Sequence, residues 1–441
     1  MKILFINPPV YDFSAYDLWS KPLGFLKIID LFKKNGFEIF YFDFMDRNHR
    51  FYENLKIKKG KFGCGNYYYE EVEKPEIYKN IPRKYKRFGL PLKIFFEFLN
   101  NLKNPDFIFI TTGMTYWVFG VEEIIKVVRE LYPEVPIVIG GIYASFCYDD
   151  ARNLGVDYIF KGKDILKFAC EFSSKFSVNI KIPEKIETYW DVYEKLDYLV
   201  VKTSYGCPFS CWYCGIKQIE PEYKKRDHND VVEEIIKNVE KFKLEDIAFY
   251  DDALFFDFEN HLYKILEGIK KTGKNLRFHT PNGIHPKFIE KEVAYILKDV
   301  NFKTIRLSLE TIEEKRREES GYKVNFSEFE KCIKNLVDAG FTEKEIGVYI
   351  LAGLPGQTPK EVINTIKVLK NYPVKIKMAE YSPIPETVDF EIAKNLYPHL
   401  PLSDPLFQNN SIYPLWNFEN KWEIINQIKQ MIKDTKIDKF L

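Results

Sequence analysis

The chain has 441 residues, enough for two domains that each bury a core of their own. Lys plus Arg total 65 against 64 for Asp plus Glu, so the net charge of +1 gives no electrostatic reason to expect nucleic acid or an anionic membrane as partner. A hydrophobic share of 46% excludes a disordered chain, and seven cysteines, an odd number, argue for metal binding where they cluster rather than for a disulfide framework.

The first residues, 2–7, form an apolar run cut by Pro8 and Pro9, which reads as a strand and not as an export signal. A helix over 22–35, ended by Gly36, and a strand over 38–43 complete a βαβ opening. Residues 44–105 are an insertion longer than ordinary α/β connections, and hence functional, a lid or partly disordered. Alternation resumes with strands over 106–111, 136–139 and 157–160 and a helix over 119–131, so residues 1–180 are expected to be a doubly wound parallel sheet. The longest apolar stretch, 107–121, is interrupted by Thr111, Thr112, Gly113 and Thr115 and is too short and polar to span a bilayer. A cytoplasmic protein is expected.

A polar stretch over 181–194 separates this domain from a second series over 195–390. Its strands are expected at 197–203, 246–250, 275–279, 304–308, 345–352 and 375–380, with helices at 231–242, 286–298, 327–339 and 360–369. Six strand-helix steps predict a partial (β/α)6 barrel of the TIM type, whose chemistry sits at the carboxyl ends of the strands. Residues 391–441 form a C-terminal extension expected to pack over the barrel.

Directly after the first barrel strand stands Ser204-Tyr-Gly-Cys207-Pro-Phe-Ser-Cys211-Trp-Tyr-Cys214. Three cysteines in one loop can bind three corners of a cubane and leave the fourth iron open for an exchangeable ligand. A zinc site usually needs four closed ligands; His228 is the nearest fourth, and the spacing matches no common zinc pattern. Cys207, Cys211 and Cys214, with Tyr213 before the last, resemble the signature of the radical S-adenosylmethionine (SAM) superfamily. The resemblance implies a [4Fe-4S] cluster, SAM bound through its amino and carboxylate groups to the open iron, and reductive cleavage to a 5′-deoxyadenosyl radical. It also implies an external electron donor such as flavodoxin or ferredoxin.

Later strand ends extend the resemblance. Asp251 and Asp252 stand where the family has its SAM-amino-binding motif, often Gly-Gly-Glu; acceptor-only carboxylates suit an ammonium group, although either could instead cap a helix. Ser308 and Glu310 resemble the Ser-x-Glu element that contacts SAM ribose and carboxylate. Gly353 falls in a stretch similar to the Gly-x-Ile-x-Gly adenine-side motif, with glycines at other offsets, and could serve the turn alone. Residues 381–387 resemble the closing Pro-x-Pro-Gly-Thr turn, with Glu386 in place of Gly. His279, Asn282 and His285 cluster after the third strand as substrate-site candidates with catalytic roles; the plainer reading has His285 capping the helix at Pro286 and only His279 facing the cavity.

In the first domain, residues 6–9, 21–26, Thr111 with its neighbours, Gly140-Gly141 and 157–162 together resemble the cobalamin-binding domain that precedes the barrel in one large radical SAM group. A glycine pair after a parallel strand lets backbone approach a large ligand at the sheet's carboxyl edge. The chain departs from the cobalamin pattern in lacking Asp-x-His-x-x-Gly, and residues 8–21 contain no His, so a cobalt-coordinating histidine is not expected. The resemblance implies a cobalamin-dependent methyltransferase acting on an unreactive carbon, with one SAM methylating the corrin and another yielding the radical. A small-molecule substrate is expected. The alternatives are a cobalamin-independent radical SAM isomerase, cyclase or oxidoreductase with a vestigial front domain, and a non-catalytic iron-sulfur module.

Overall fold

The computed structural model describes residues 1–102, 104–319 and 324–434. The chain divides into two compact units. The first comprises Met1–Asp197 with Gln218–Glu220 and Pro401–Ser411; the second comprises Tyr198–Lys217, Pro221–Leu400 and the chain from Ile412.

Five parallel strands build the first unit: β1 (Lys2–Asn7), β2 (Glu38–Asp43), β3 (Phe107–Thr112), β4 (Ile137–Gly141) and β5 (Tyr158–Phe160), in the order β5-β4-β3-β1-β2. Ile3, Leu4, Phe5 and Ile6 are wholly buried, as expected of a parallel strand covered on both faces. Phe32 of the helix Leu23–Lys34 packs edge-on against both Phe109 and Phe172 of the helix Ile165–Phe176, and Phe172 meets Phe109 at a tilt, so aromatic side chains fill one layer of the core.

The described residues of the insertion include short strands and helices. Tyr85–Phe88 pairs antiparallel with both Tyr69–Val72 and Val10–Asp12, which makes a small sheet with the loop that leaves β1. Residues 401–411 of the C-terminal extension belong to this unit and not to the barrel. Asn409 donates to the buried Asp12 carboxylate at 3.1 Å, and Tyr78 donates to the Leu406 carbonyl at 2.5 Å. A buried carboxylate needs such donors, and three residues answer this one: Asn409, Trp117 and the Phe13 backbone. Residues 435–441 of the expected extension lie outside the described residues.

The second unit is a six-stranded parallel sheet in sequential order: β6 (Leu199–Val201), β7 (Asp246–Phe249), β8 (Arg277–His279), β9 (Phe302–Glu310), β10 (Ile346–Ala352) and β11 (Lys375–Glu380). This is the partial barrel that the alternation predicts. Helices between the strands start on local signals: Asp227 accepts from the backbone of Asn229 and Asp230, and Asn325 and Thr358 each form a capping box with the Glu three residues on. The helix Leu262–Lys271, not foreseen from the sequence, fills the step between β7 and β8.

Candidate functional site

At the carboxyl ends of the barrel strands lies a cavity of about 340 Å³, within the range of small-molecule sites. Its wall includes Cys207, Cys211, Cys214 and Tyr213 after β6, Asp251 and Asp252 after β7, Asn282 and His285 after β8, and Ser308 and Glu310 at the end of β9. The structure thus brings ten of the expected site residues to one space. His279 and Gly353 do not line it.

The cysteine loop is anchored from beneath. Asp251 accepts hydrogen bonds from the backbone and hydroxyl of both Thr203 and Ser204, at 2.6–3.1 Å, and His261 Nε2 lies 3.0 Å from the Thr203 carbonyl and hydroxyl. Burial pushes the Asp251 carboxyl up, and the Ser204 and Thr203 hydrogen bonds oppose that shift. Thr203, Ser204 and His261 carry no motif, so this anchor was not legible in the sequence. Asp252 instead pairs with Lys202 at 2.8 Å and keeps about a quarter of its side chain exposed.

From above, the Tyr213 hydroxyl donates to Glu310. Burial, and then the charge of Glu310, push the Tyr213 phenol well above its ordinary range, so it stays a neutral donor. Glu310 has φ of +71° and sits at a register shift between β9 and β10, an irregularity at the strand end, and its side chain lines the cavity as Ser308 does. Gly283 is packed against Ser308, since a Cβ there would lie 2.1 Å from the Ser308 hydroxyl.

Asn282 donates to the carbonyls of Tyr250 and Asp251 at 3.1 Å, bridging the ends of β7 and β8. His285 both lines the cavity and caps: its Nδ1 accepts from the Lys287 backbone, and its ring packs on Phe209 at 5.3 Å. His279 is wholly buried away from the cavity. Its Nε2 lies 2.9 Å from Asp246, which also binds Arg277 through two bonds of 2.7 Å. Burial lowers His279 and the Asp246 carboxylate opposes it. Two of six histidines near one strand end therefore divide into one cavity residue and one core residue. Gly353, with φ of +95°, serves a turn in which Gln357 accepts from its backbone at 2.8 Å.

The cavity fits the expected cofactors. Three thiols face one space from one loop, and acceptor and hydroxyl groups face them from the next strands. Among the described residues no three His, Cys, Asp or Glu side chains are gathered around a point that would suit a single metal ion; thiolates on separate corners of a cubane need not be.

In the first unit, Gly141 ends β4 with φ of +119°, and a Cβ there would stand 2.2 Å from the Thr112 carbonyl oxygen. Thr112, beside the expected Thr111, donates to the Gly140 carbonyl and accepts from the Ala144 backbone. Ser145 ties the same edge to the next loop, donating to the Gly141 carbonyl and accepting from Gly162. A Cβ at Gly162 would meet nothing within 4 Å, so there is open space beside the backbone at that one position.

Residues 201–369 match the Radical SAM superfamily, and residues 95–167 match the B12 binding domain. The chain thus carries a radical SAM domain and, before it in sequence, a B12-binding domain. The cofactors that go with these domains are a [4Fe-4S] cluster, SAM and cobalamin. An uncharacterized methyltransferase of Pyrococcus horikoshii is 25% identical over 341 residues, which is 66% of this chain and 71% of that one. Among solved structures, the radical SAM methyltransferase TsrM of Kitasatospora setae, with tryptophan and a SAM analogue bound, aligns with a TM-score of 0.65 at 17% identity, covering 90% of this chain and 77% of that one. The cobalamin-dependent radical enzyme OxsB with aqua-cobalamin aligns with a TM-score of 0.56 at 10% identity, covering 92% and 57%. At these identities the two structures speak for the radical SAM protein's fold alone. Among the described residues no helix is long and apolar enough to cross a membrane.

Proposed function

We propose that this radical SAM enzyme is a cobalamin-dependent methyltransferase acting on an unreactive carbon of a small molecule, supplied with electrons by an external donor in the cytoplasm. The observation that carries the reading is the joint presence of the B12-binding domain and a cavity where three cysteines face the strand-end carboxylates. Bound at their sites, the cluster and SAM supply a radical and cobalamin carries the methyl group. Cys207, Cys211 and Cys214 hold the cluster. Asp252 is the better placed of the two aspartates to accept from the SAM ammonium, because the Asp251 oxygens are already taken by Thr203 and Ser204. Ser308 and Glu310 line the opposite wall as further SAM contacts, and Phe209, Phe249 and Phe288 keep the space apolar. Thr111, Gly140 and Gly141 shape the cobalamin edge, while Asn282 and His285 remain candidates for substrate contact.

Anaerobically reconstituted protein is expected to hold about four irons in one site and to lose them in Cys211→Ala. Incubated with hydroxocobalamin it should retain a corrin spectrum, and with a reductant, SAM and substrate it should form both S-adenosylhomocysteine and 5′-deoxyadenosine. Formation of 5′-deoxyadenosine alone, without retained corrin, overturns the reading in favour of a cobalamin-independent enzyme. Iron and corrin without SAM binding favour a non-catalytic module.

A further inference from the structure

The inner face of the barrel carries a group of cations beside the cavity. Parallel pairing sets Ser308, Tyr349 and Lys377 side by side on β9, β10 and β11, and sets Arg306, Gly347 and Lys375 in the row before. Ser308 and Tyr349 line the cavity, so Lys377 shares their face and Arg306 and Lys375 stand two residues deeper on it. Gly347 makes room for the Arg306 side chain: a Cβ there would lie 2.8 Å from Arg306 Cδ and 2.9 Å from its guanidinium. The arginine therefore lies across β10 toward the two lysines.

Gathering like charges costs free energy unless something answers them. Burial lowers the Lys377 ammonium below its ordinary range, and Arg306 and Lys375 lower it further. Lys377 is nonetheless exposed, and among the described residues it has no hydrogen-bond or ion-pair partner. Nearby acids on the strands are committed elsewhere: Asp246 to Arg277 and His279, Glu310 to Tyr213, and Glu380 to Lys429 and Tyr413.

We propose that Lys377 and Arg306, with Lys375 beside them, bind an oxyanion of the substrate, a carboxylate or a phosphate, and so orient its reacting carbon toward the cysteine loop. The inference rests on reading the adjoining cavity as the place of reaction. It adds a substrate class: an anionic small molecule, gripped by charge-assisted hydrogen bonds beside the cofactor contacts, from the row of Ser308 and Lys377 to the row of Arg306 and Lys375.

The test is a phosphorus magnetic-resonance titration of the reconstituted protein with inorganic phosphate at fixed ionic strength, without SAM or reductant, so that it stands apart from any test of methyl transfer. Saturable binding is expected, weakened about tenfold or more in Lys377→Gln and Arg306→Gln, largely kept in Lys377→Arg, and unchanged in Lys394→Gln, which removes a lysine from a helix surface. Lys377 is exposed, so its variant tests the proposal even if Arg306→Gln fails to fold. Displacement of phosphate by succinate at lower concentration than the phosphate itself assigns the site to a carboxylate; the reverse order assigns it to a phosphate. Absence of saturable phosphate binding, or equal affinity in the wild type and Lys377→Gln, overturns the proposal.

Discussion

The hydroxyl of Tyr213 donates to the Glu310 carboxylate, so a partly buried hydrogen bond joins the cysteine loop to the end of β9. Both residues line the cavity, which makes the bond a clamp across it. Tyr213→Phe leaves a buried carboxylate without this donor, and a hydrogen bond to a charged group is worth ~1.5–3 kcal/mol. The variant should be less stable by about that amount in denaturant unfolding while keeping its iron. A loss of less than about 0.5 kcal/mol, the scale of an ordinary surface change, would mean that the clamp contributes nothing.

Asp251 and Asp252 are neighbours in sequence with different partners. Asp251 takes four donors from Thr203 and Ser204, at the start of the cysteine loop, whereas Asp252 takes the Lys202 ammonium. Asp251→Ala should therefore lower bound iron and stability together, because it leaves those buried donors unpaired. Asp252→Ala should keep the cluster spectrum and weaken SAM binding. Iron content and SAM affinity measured on both variants decide this, and the same pattern in both would remove the distinction.

Much of this was legible in the sequence because strand periodicity and the cysteine spacing are local. The βαβ opening of residues 2–43 and the six barrel strands follow from alternating apolar runs, and the cavity residues from their positions just after those runs. What escaped is set by tertiary partners. His279 looks like a cavity residue by position, yet Asp246 on the adjacent strand holds it in the core. Residues 401–411 gave no periodic signal, and their place beside Asp12 depends on a contact across nearly the whole chain. The insertion strands Tyr69–Val72 and Tyr85–Phe88 are short, and pairing with each other and with Val10–Asp12 defines them.

Burial pushes the Asp46 carboxyl up to about 6; the Lys21 ammonium opposes this and the Asp43 carboxylate adds to it. The folded chain thus holds a proton on Asp46 over a range where the unfolded chain, at the ordinary value of 3.8, has released it. The associated stability is complete below the unfolded value and is lost as pH rises through the folded one. Asp46→Asn removes that loss. Its stability relative to wild type should rise between about pH 4 and pH 7, by up to ~3 kcal/mol, read as the difference between paired unfolding curves. A flat or falling difference would count against the burial assigned to Asp46.

Gly140 and Gly141 look equivalent in sequence and are not equivalent in the fold. A Cβ on Gly140 would touch Phe160 no closer than 3.7 Å, an ordinary contact, and its φ is not positive. On Gly141 it would press to 2.2 Å on the Thr112 carbonyl, at a φ of +119° that side chains rarely adopt. Gly140→Ala should therefore change stability by no more than about 0.5 kcal/mol, whereas Gly141→Ala should cost at least ~1–3 kcal/mol in backbone strain alone. The Thr112 contact also ties this turn to β3, so strain there displaces the sheet edge proposed above to meet cobalamin. Corrin retained after hydroxocobalamin incubation should accordingly survive Gly140→Ala and fall in Gly141→Ala at a temperature where that variant is still folded by circular dichroism. Equal retention in the two, with both folded, would place the corrin away from the Gly140-Gly141 turn.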